Sequence, residues 1–152
     1  LIDRYGYATY GGNSHFFADA DEGWVFLNFA GGQGLWVAQR VGPDEVRVSR
    51  PGYIGDIPGD YRTHPDFRGS ANLISFAVEQ GWYDPKSDKP FNVNHVYGDG
   101  MMRHPAVELI ENRMRNIAQE RKVGLRDVMA AVRTTEVTTE TAGYGQVAHL
   151  RK

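Results

Sequence analysis

The chain has 152 residues with 17 basic and 19 acidic side chains, a net charge of −2, and is long enough to bury the core of one domain. Its apolar share of 41% and charged share of 24% are typical of a globular protein and exclude the composition of a disordered one. The balanced charge predicts neither a nucleic-acid nor a membrane partner. Because the chain has no cysteine, it contains no disulfide, no thiolate metal site and no cysteine nucleophile.

The first third of the chain predicts an antiparallel β-meander. Short apolar runs, separated by glycine-containing turns, predict strands at residues 14–19, 24–30, 35–41 and 45–50. In the second of these strands both sets of alternating side chains are largely apolar, which predicts burial of both of its faces. The short turns predict that consecutive strands pair with each other.

Residues 50–70 predict a long irregular connection because they are rich in glycine and proline. Long loops in compact domains are often binding elements. The tyrosines Tyr53 and Tyr61 predict that this one is ordered, and they could border a substrate, although packing is the commoner role for such side chains.

The remainder of the chain is predicted to be mainly helical. Apolar residues at helical spacing predict helices at residues 70–80, 105–122 and 125–133. Ser70 is expected to cap the first helix and Gly81 to end it. Residues 82–103 are predicted to be irregular, and Trp36 and Trp82 are predicted to be core residues.

Together these elements predict an α+β fold, an antiparallel β-meander with packed helices, in a single domain over residues 1–152. None of the five histidines lies three or four residues from another, so no helical two-histidine metal site is predicted. We expect neither a metal nor another cofactor. The residue patterns alone predict a fold but no activity.

Three segments in a fixed order carry a family resemblance. They are residues 31–41 (GGQGLWVAQRV), residues 70–77 with 81–85 (SANLISFA and GWYDP), and residues 126–129 (RDVM). In that order and spacing the chain resembles the bacterial cysteine dipeptidases of the dipeptidase A type, which belong to the N-terminal-nucleophile hydrolases. The resemblance covers about residues 5–133.

The resemblance implies an αββα sandwich of two stacked antiparallel sheets, in which this chain would be the central part of a longer domain. It also implies hydrolysis of dipeptides by a cysteine that self-processing exposes as the first residue, with its own α-amino group as the base. That cysteine is absent here. We therefore expect missing chain upstream, or a companion subunit, to supply it, and we expect the isolated chain to be inactive.

The same resemblance suggests where the site would lie. The family's oxyanion-binding asparagine is replaced here, and Ser49 or Arg50 stands at that position, where either could donate a hydrogen bond. Arg40 could bind substrate or equally form a structural ion pair, and the polar strand residues Asn13 and Asn28 could face a pocket. The substrate-binding candidates are Arg40, Asn13, Asn28, Tyr53 and Tyr61.

These departures from the family pattern leave two alternatives open. One is a diverged amidase or acyltransferase of the same superfamily, and the other is a non-catalytic subunit that serves binding or assembly. A dipeptide or another small amide is the expected substrate, and an oligomer is the expected assembly. The sequence slightly favours a cytoplasmic location for the protein and leaves a secreted one open.

Overall fold

The computed structural model describes residue 4 and residues 13–48, 54–98 and 105–136. The strands and helices of the three longer ranges are β1 (Asn13–Ala18), β2 (Gly23–Asn28), β3 (Trp36–Val41), β4 (Asp56–Ile57), β5 (Phe67–Gly69), α1 (Leu73–Glu79), β6 (Phe91–Asn92), α2 (Val93–Tyr97), α3 (Pro105–Glu120) and α4 (Leu125–Val132). This mixture of helices and antiparallel sheets confirms the α+β class.

The chain divides into two compact units. The first unit contains Leu1–Pro43 and Ser49–Met102, and the second contains Asp44–Val48 and Arg103–Lys152. The prediction that residues 1–152 form one domain stays a prediction.

The main sheet of the first unit has four antiparallel strands in the order β1-β2-β3-β5. The first three strands confirm the predicted meander. The fourth predicted strand is wrong for residues 45–48, which have no regular structure. The edge position belongs instead to β5, from the segment predicted to be irregular. Gly69 permits this pairing because a β-carbon there would lie 2.8 Å from the ring of Tyr61.

The two faces of this sheet differ in burial. On one face Val25, Leu27 and Val37 are buried. On the other face the rings of Phe26 and Trp36 stack at 5.5 Å and are only half-buried, and Phe17 beside them is 59% exposed. The predicted burial of both faces therefore holds for one face, and the other presents an aromatic surface.

Helix α1 confirms the predicted helix, but its start differs from the expectation. Asn72 occupies the cap position without a side-chain cap bond. Ser70 is buried, and its hydroxyl accepts a hydrogen bond from the backbone N–H of Trp36 at 3.2 Å. Ser70 thus joins the start of β3 to the segment before α1, which is why it does not cap the helix.

The prediction that residues 82–103 are irregular is wrong for β6 and α2. Phe91 pairs with Ile57 in the two-stranded sheet β4-β6, and both side chains are buried. The Asn92 side chain then accepts a hydrogen bond from the backbone N–H of His95 at 2.9 Å, which caps α2.

The second unit contains α3 and α4, which agree with the two helices predicted there. Helix α3 buries Val107, Glu111 and Met114. Helix α4 leaves Leu125 and Met129 exposed among the described residues. No helix in the described part of the chain is both long enough and apolar enough to cross a membrane.

Candidate functional site

A cleft of about 410 Å³ opens in the first unit beside the turn between β2 and β3. This volume lies in the range of about 300–1,000 Å³ that is usual for small-molecule sites. Four aromatic side chains line it, and they are Phe29, Phe76, Trp82 and Tyr97. The turn between β2 and β3 lines it as well, together with Val96 and Gly98 at the end of α2.

The glycines of that turn adopt backbone angles that other residues rarely tolerate. Gly31, Gly32 and Gly34 have φ values of +106°, +74° and +68°. The turn is closed by a hydrogen bond of 3.0 Å from the backbone N–H of Phe29 to the carbonyl of Leu35. The glycine-rich sequence therefore bends the chain back tightly and leaves its backbone open towards the cleft.

The end of α1 positions Trp82. Gly81 has a φ of +71°, which ends the helix as the sequence predicts. The N–H of Gly81 donates to the carbonyl of Val78 at 3.0 Å, and the N–H of Trp82 donates to the carbonyl of Ala77 at 2.9 Å. These two bonds form a Schellman motif. The motif directs the ring of Trp82 towards Phe76, and the two rings meet edge-on with their centroids 5.8 Å apart.

Tyr97 fixes the opposite wall of the cleft. Its hydroxyl donates a hydrogen bond to the backbone carbonyl of Leu73, and its ring lies 4.8 Å from that of Phe29 and 6.0 Å from that of Trp82. Burial raises the pKa of the Tyr97 hydroxyl well above its usual range. The side chain is therefore a neutral hydrogen-bond donor at neutral pH.

Asn28 is the candidate residue with the most unusual surroundings. It ends β2 opposite Asn13 and Trp36, and it is 2% exposed. Neither polar atom of its side-chain amide has a hydrogen-bond partner in the described part of the chain. An unpaired buried polar group costs about 1–3 kcal/mol, so a ligand or a further polypeptide that paired this amide would recover that cost.

The other candidates within the described ranges have structural partners. The Nε of Arg40 lies 2.9 Å from a carboxylate oxygen of Glu22, which is the ion-pair role that the sequence left open. Tyr61 is buried, and its hydroxyl donates to the carbonyl of Ser70 at 2.7 Å, so the structure gives it a packing role.

Ser49, Arg50 and Tyr53 lie outside the described residues, and for Asn13 only the strand backbone is described. Their proposed roles therefore stay predictions. The prediction that Trp82 is a core residue is wrong, because it is 53% exposed at the edge of the cleft.

The residue patterns did not predict the cleft. A sequence feature that could have indicated the cleft is the Gly81-Trp82 pair, because a glycine that ends a helix fixes the direction of the next residue. Across the described ranges, no group of three histidine, aspartate or glutamate side chains could hold a metal ion.

The comparisons with known proteins decide the family. The profile of peptidase family C69 matches residues 1–109 of this chain. The chain belongs to peptidase family C69. The recognition of a dipeptidase A-type segment is confirmed, and with it the assignment to the hydrolases and peptidases. The matched residues include the main sheet, the glycine turn and the whole cleft. No curated protein matches the chain.

Proposed function

We propose that this C69 peptidase segment forms part of a dipeptidase that hydrolyses amide bonds through an N-terminal cysteine. The observation that carries the proposal is the family match to residues 1–109. The cysteine lies outside these 152 residues, since the composition contains none.

The reaction that we propose has two steps. The thiol attacks the substrate carbonyl carbon, the α-amino group of the same cysteine takes the thiol proton, and the proton passes to the leaving amine as the amide bond breaks. A thioester acyl-enzyme remains. Water then attacks the thioester carbonyl, which releases the carboxylic acid and returns the thiol.

In this proposal the present chain binds and orients the substrate. The amide of Asn28, which has no partner in the part of the chain that the structure describes, can donate one hydrogen bond to a substrate carbonyl and accept one from a substrate N–H. Ser49 or Arg50 would donate to the oxyanion that forms during attack. Asn28 is the strongest candidate of the three because it is buried and has no hydrogen-bond partner among the described residues.

The exposed aromatic face of the main sheet supports the sandwich architecture that accompanies this function. Facing sheets in such sandwiches pack about 10 Å apart through side chains such as those of Phe26 and Trp36. We propose that a second antiparallel sheet covers this face, as in an αββα hydrolase. The polypeptide that carries the cysteine would contribute strands to that sheet.

The replacement Asn28→Leu tests the role of Asn28 in the complete enzyme. We expect kcat/KM for a dipeptide to fall by at least about tenfold, because a buried hydrogen bond to substrate is lost. Asn116→Leu is the matched control, since Asn116 is exposed on α3 and should leave kcat/KM unchanged. Equal activity of the two variants would contradict a substrate-binding role for Asn28.

The same assay separates the two alternatives. Transfer of the acyl group to an added amine, in preference to water, would identify an acyltransferase. A lack of turnover when the cysteine-bearing polypeptide is present would identify a binding or assembly subunit.

A further inference from the structure

We propose that the cleft beside the β2–β3 turn binds an uncharged aromatic side chain of a peptide ligand. The proposal deepens the function above, because it names the substrate side chain that the peptidase would favour. It rests on that function only in taking the bound peptide to be the substrate. The binding itself can be measured without any hydrolysis.

The arrangement of the walls selects a flat apolar group. Trp82 meets both Phe76 and Tyr97 edge-on, at 5.8 and 6.0 Å and at interplanar angles of 80° and 85°. Aromatic pairs favour such edge-to-face and offset geometries. A further ring can therefore contact the exposed Trp82 ring and stay in favourable geometry with its neighbours.

The charge of the lining selects a neutral group. None of the described residues that line the cleft carries a charged side chain, and the Tyr97 hydroxyl is already bonded to the carbonyl of Leu73. A charged group that entered would lose its hydration without gaining an opposite charge. This favours phenylalanine, tyrosine or tryptophan over lysine, arginine or an acidic residue.

The edge of the cleft can bind the peptide backbone. Gly31 and Gln33 both line the cleft, and their backbone N–H groups and the Gln33 side-chain amide make no hydrogen bonds within the described ranges. A peptide presents carbonyl acceptors and N–H donors next to its side chain, whereas a free aromatic hydrocarbon presents none. The combination of an aromatic wall with an unpaired amide edge therefore fits an aromatic residue within a peptide.

The test is calorimetric titration of the 152-residue chain with N-acetyl-phenylalaninamide. We expect saturable binding, and affinity at least about tenfold weaker for N-acetyl-alaninamide, which lacks the ring, and for N-acetyl-lysinamide, which carries a charge. Benzyl alcohol, which has the ring but no amide, should also bind more weakly. Equal affinity for the lysine compound or for benzyl alcohol would overturn the proposal, as would a lack of saturable binding.

Two variants locate the binding in the cleft. Trp82→Ala should weaken binding by about tenfold, and Ala30→Glu should do the same by placing a carboxylate in the uncharged lining. Trp24→Phe is the matched control, because Trp24 lies on β2 outside the cleft, and it should bind normally. Unchanged binding by both cleft variants would overturn the proposal, and circular dichroism of each variant checks that it is folded.

The binding experiment tests the present inference and the hydrolysis experiment tests the proposed function, so either proposal can be contradicted while the other stands. Normal binding by this chain with no hydrolysis by the complete enzyme would contradict the proposed function alone. Hydrolysis with no preference for aromatic residues, together with absent binding, would contradict the present inference alone.

Discussion

The backbone N–H of Trp82 donates to the carbonyl of Ala77 at 2.9 Å, five residues earlier, across the left-handed Gly81. This bond ends α1 and directs an exposed indole ring over the cleft. One glycine therefore determines both where a helix stops and where a wall of the candidate site stands.

Replacement of Gly81 by alanine tests this relationship. Apart from the two chain neighbours, no described residue has an atom within 4 Å of the position that a β-carbon would occupy, so the expected cost is that of the backbone angle. We expect the free energy of unfolding to fall by about 1–2 kcal/mol, measured by urea denaturation. The matched control is Gly59→Ala, at a position with equal space and no positive φ, which should be neutral or slightly stabilising. Equal stability of both variants would contradict the account of Gly81.

Asn28 gives a prediction about the stability of the chain by itself. Because its buried amide has no partner among the described residues, Asn28→Leu removes an uncompensated desolvation cost. We expect the free energy of unfolding to rise by about 1 kcal/mol in this variant. A loss of 1 kcal/mol or more in the same urea experiment would mean that the amide is paired in the folded chain.

Glu111 is expected to stabilise the second unit. Its side chain is 0% exposed, accepts a hydrogen bond from the backbone N–H of Val48 at 3.1 Å and contacts Arg115 at 2.7 Å. Glu111→Leu leaves the Val48 N–H without this acceptor, and we expect the free energy of unfolding to fall by about 1–3 kcal/mol.

Two further variants control the Glu111 experiment. Glu111→Gln keeps an acceptor and should lose less stability than Glu111→Leu. Glu108→Gln, on the exposed side of the same helix, should change the free energy of unfolding by less than about 0.5 kcal/mol. A Glu111→Leu variant as stable as Glu108→Gln would show that the buried carboxylate contributes nothing.

Because of Asp127, the stability of α4 should decrease at acidic pH. Both of its carboxylate oxygens accept hydrogen bonds from Arg121 at 2.7 Å, and one also accepts from the N–H of Gly124 at 2.8 Å. The Arg121 bonds, followed by the Gly124 bond, hold the pKa of the Asp127 carboxyl well below its usual range. The folded-state pKa therefore lies below the unfolded one, so the stabilisation is complete above about pH 5 and is lost as the pH falls below about 4.

The measurement for Asp127 is the thermal midpoint of helical circular dichroism at pH 7 and pH 3. Asp127→Asn should lower the midpoint at pH 7 and should reduce the difference between the two pH values. Asp88→Asn, at an exposed position in the first unit, should leave that difference unchanged. An unaltered pH difference in Asp127→Asn would rule out this role.

The local patterns of the sequence predicted the local elements. Strands β1 to β3 follow from alternation and turn residues, and the helices follow from apolar spacing. Residues 45–50 also alternate, but the backbone of Val48 is held by a carboxylate 63 positions away in the chain, and no local pattern reports that bond. Strand β5 has three residues, and its pairing with β3 depends on the close approach of Gly69 and Tyr61.

The candidate site was predictable only in part. Asn28 was identifiable as a polar residue at the end of an apolar strand, although its missing partners are visible only in three dimensions. The cleft brings together Phe29 after β2, Phe76 on α1, Trp82 just beyond the end of α1 and Tyr97 on α2. Each ring taken singly has the pattern of a packing residue, so the sequence did not indicate that they enclose a cavity.

The central proposal is that this C69 segment works in a dipeptidase whose cysteine thiol lies outside the chain. The most direct test is hydrolysis of a dipeptide by the complete enzyme before and after alkylation with iodoacetamide, with the modified residue identified by mass spectrometry. We predict release of free amino acids by the untreated enzyme and complete loss of turnover once the N-terminal cysteine is alkylated. Undiminished turnover after complete alkylation, or hydrolysis by the cysteine-free 152-residue chain alone, would contradict the proposal.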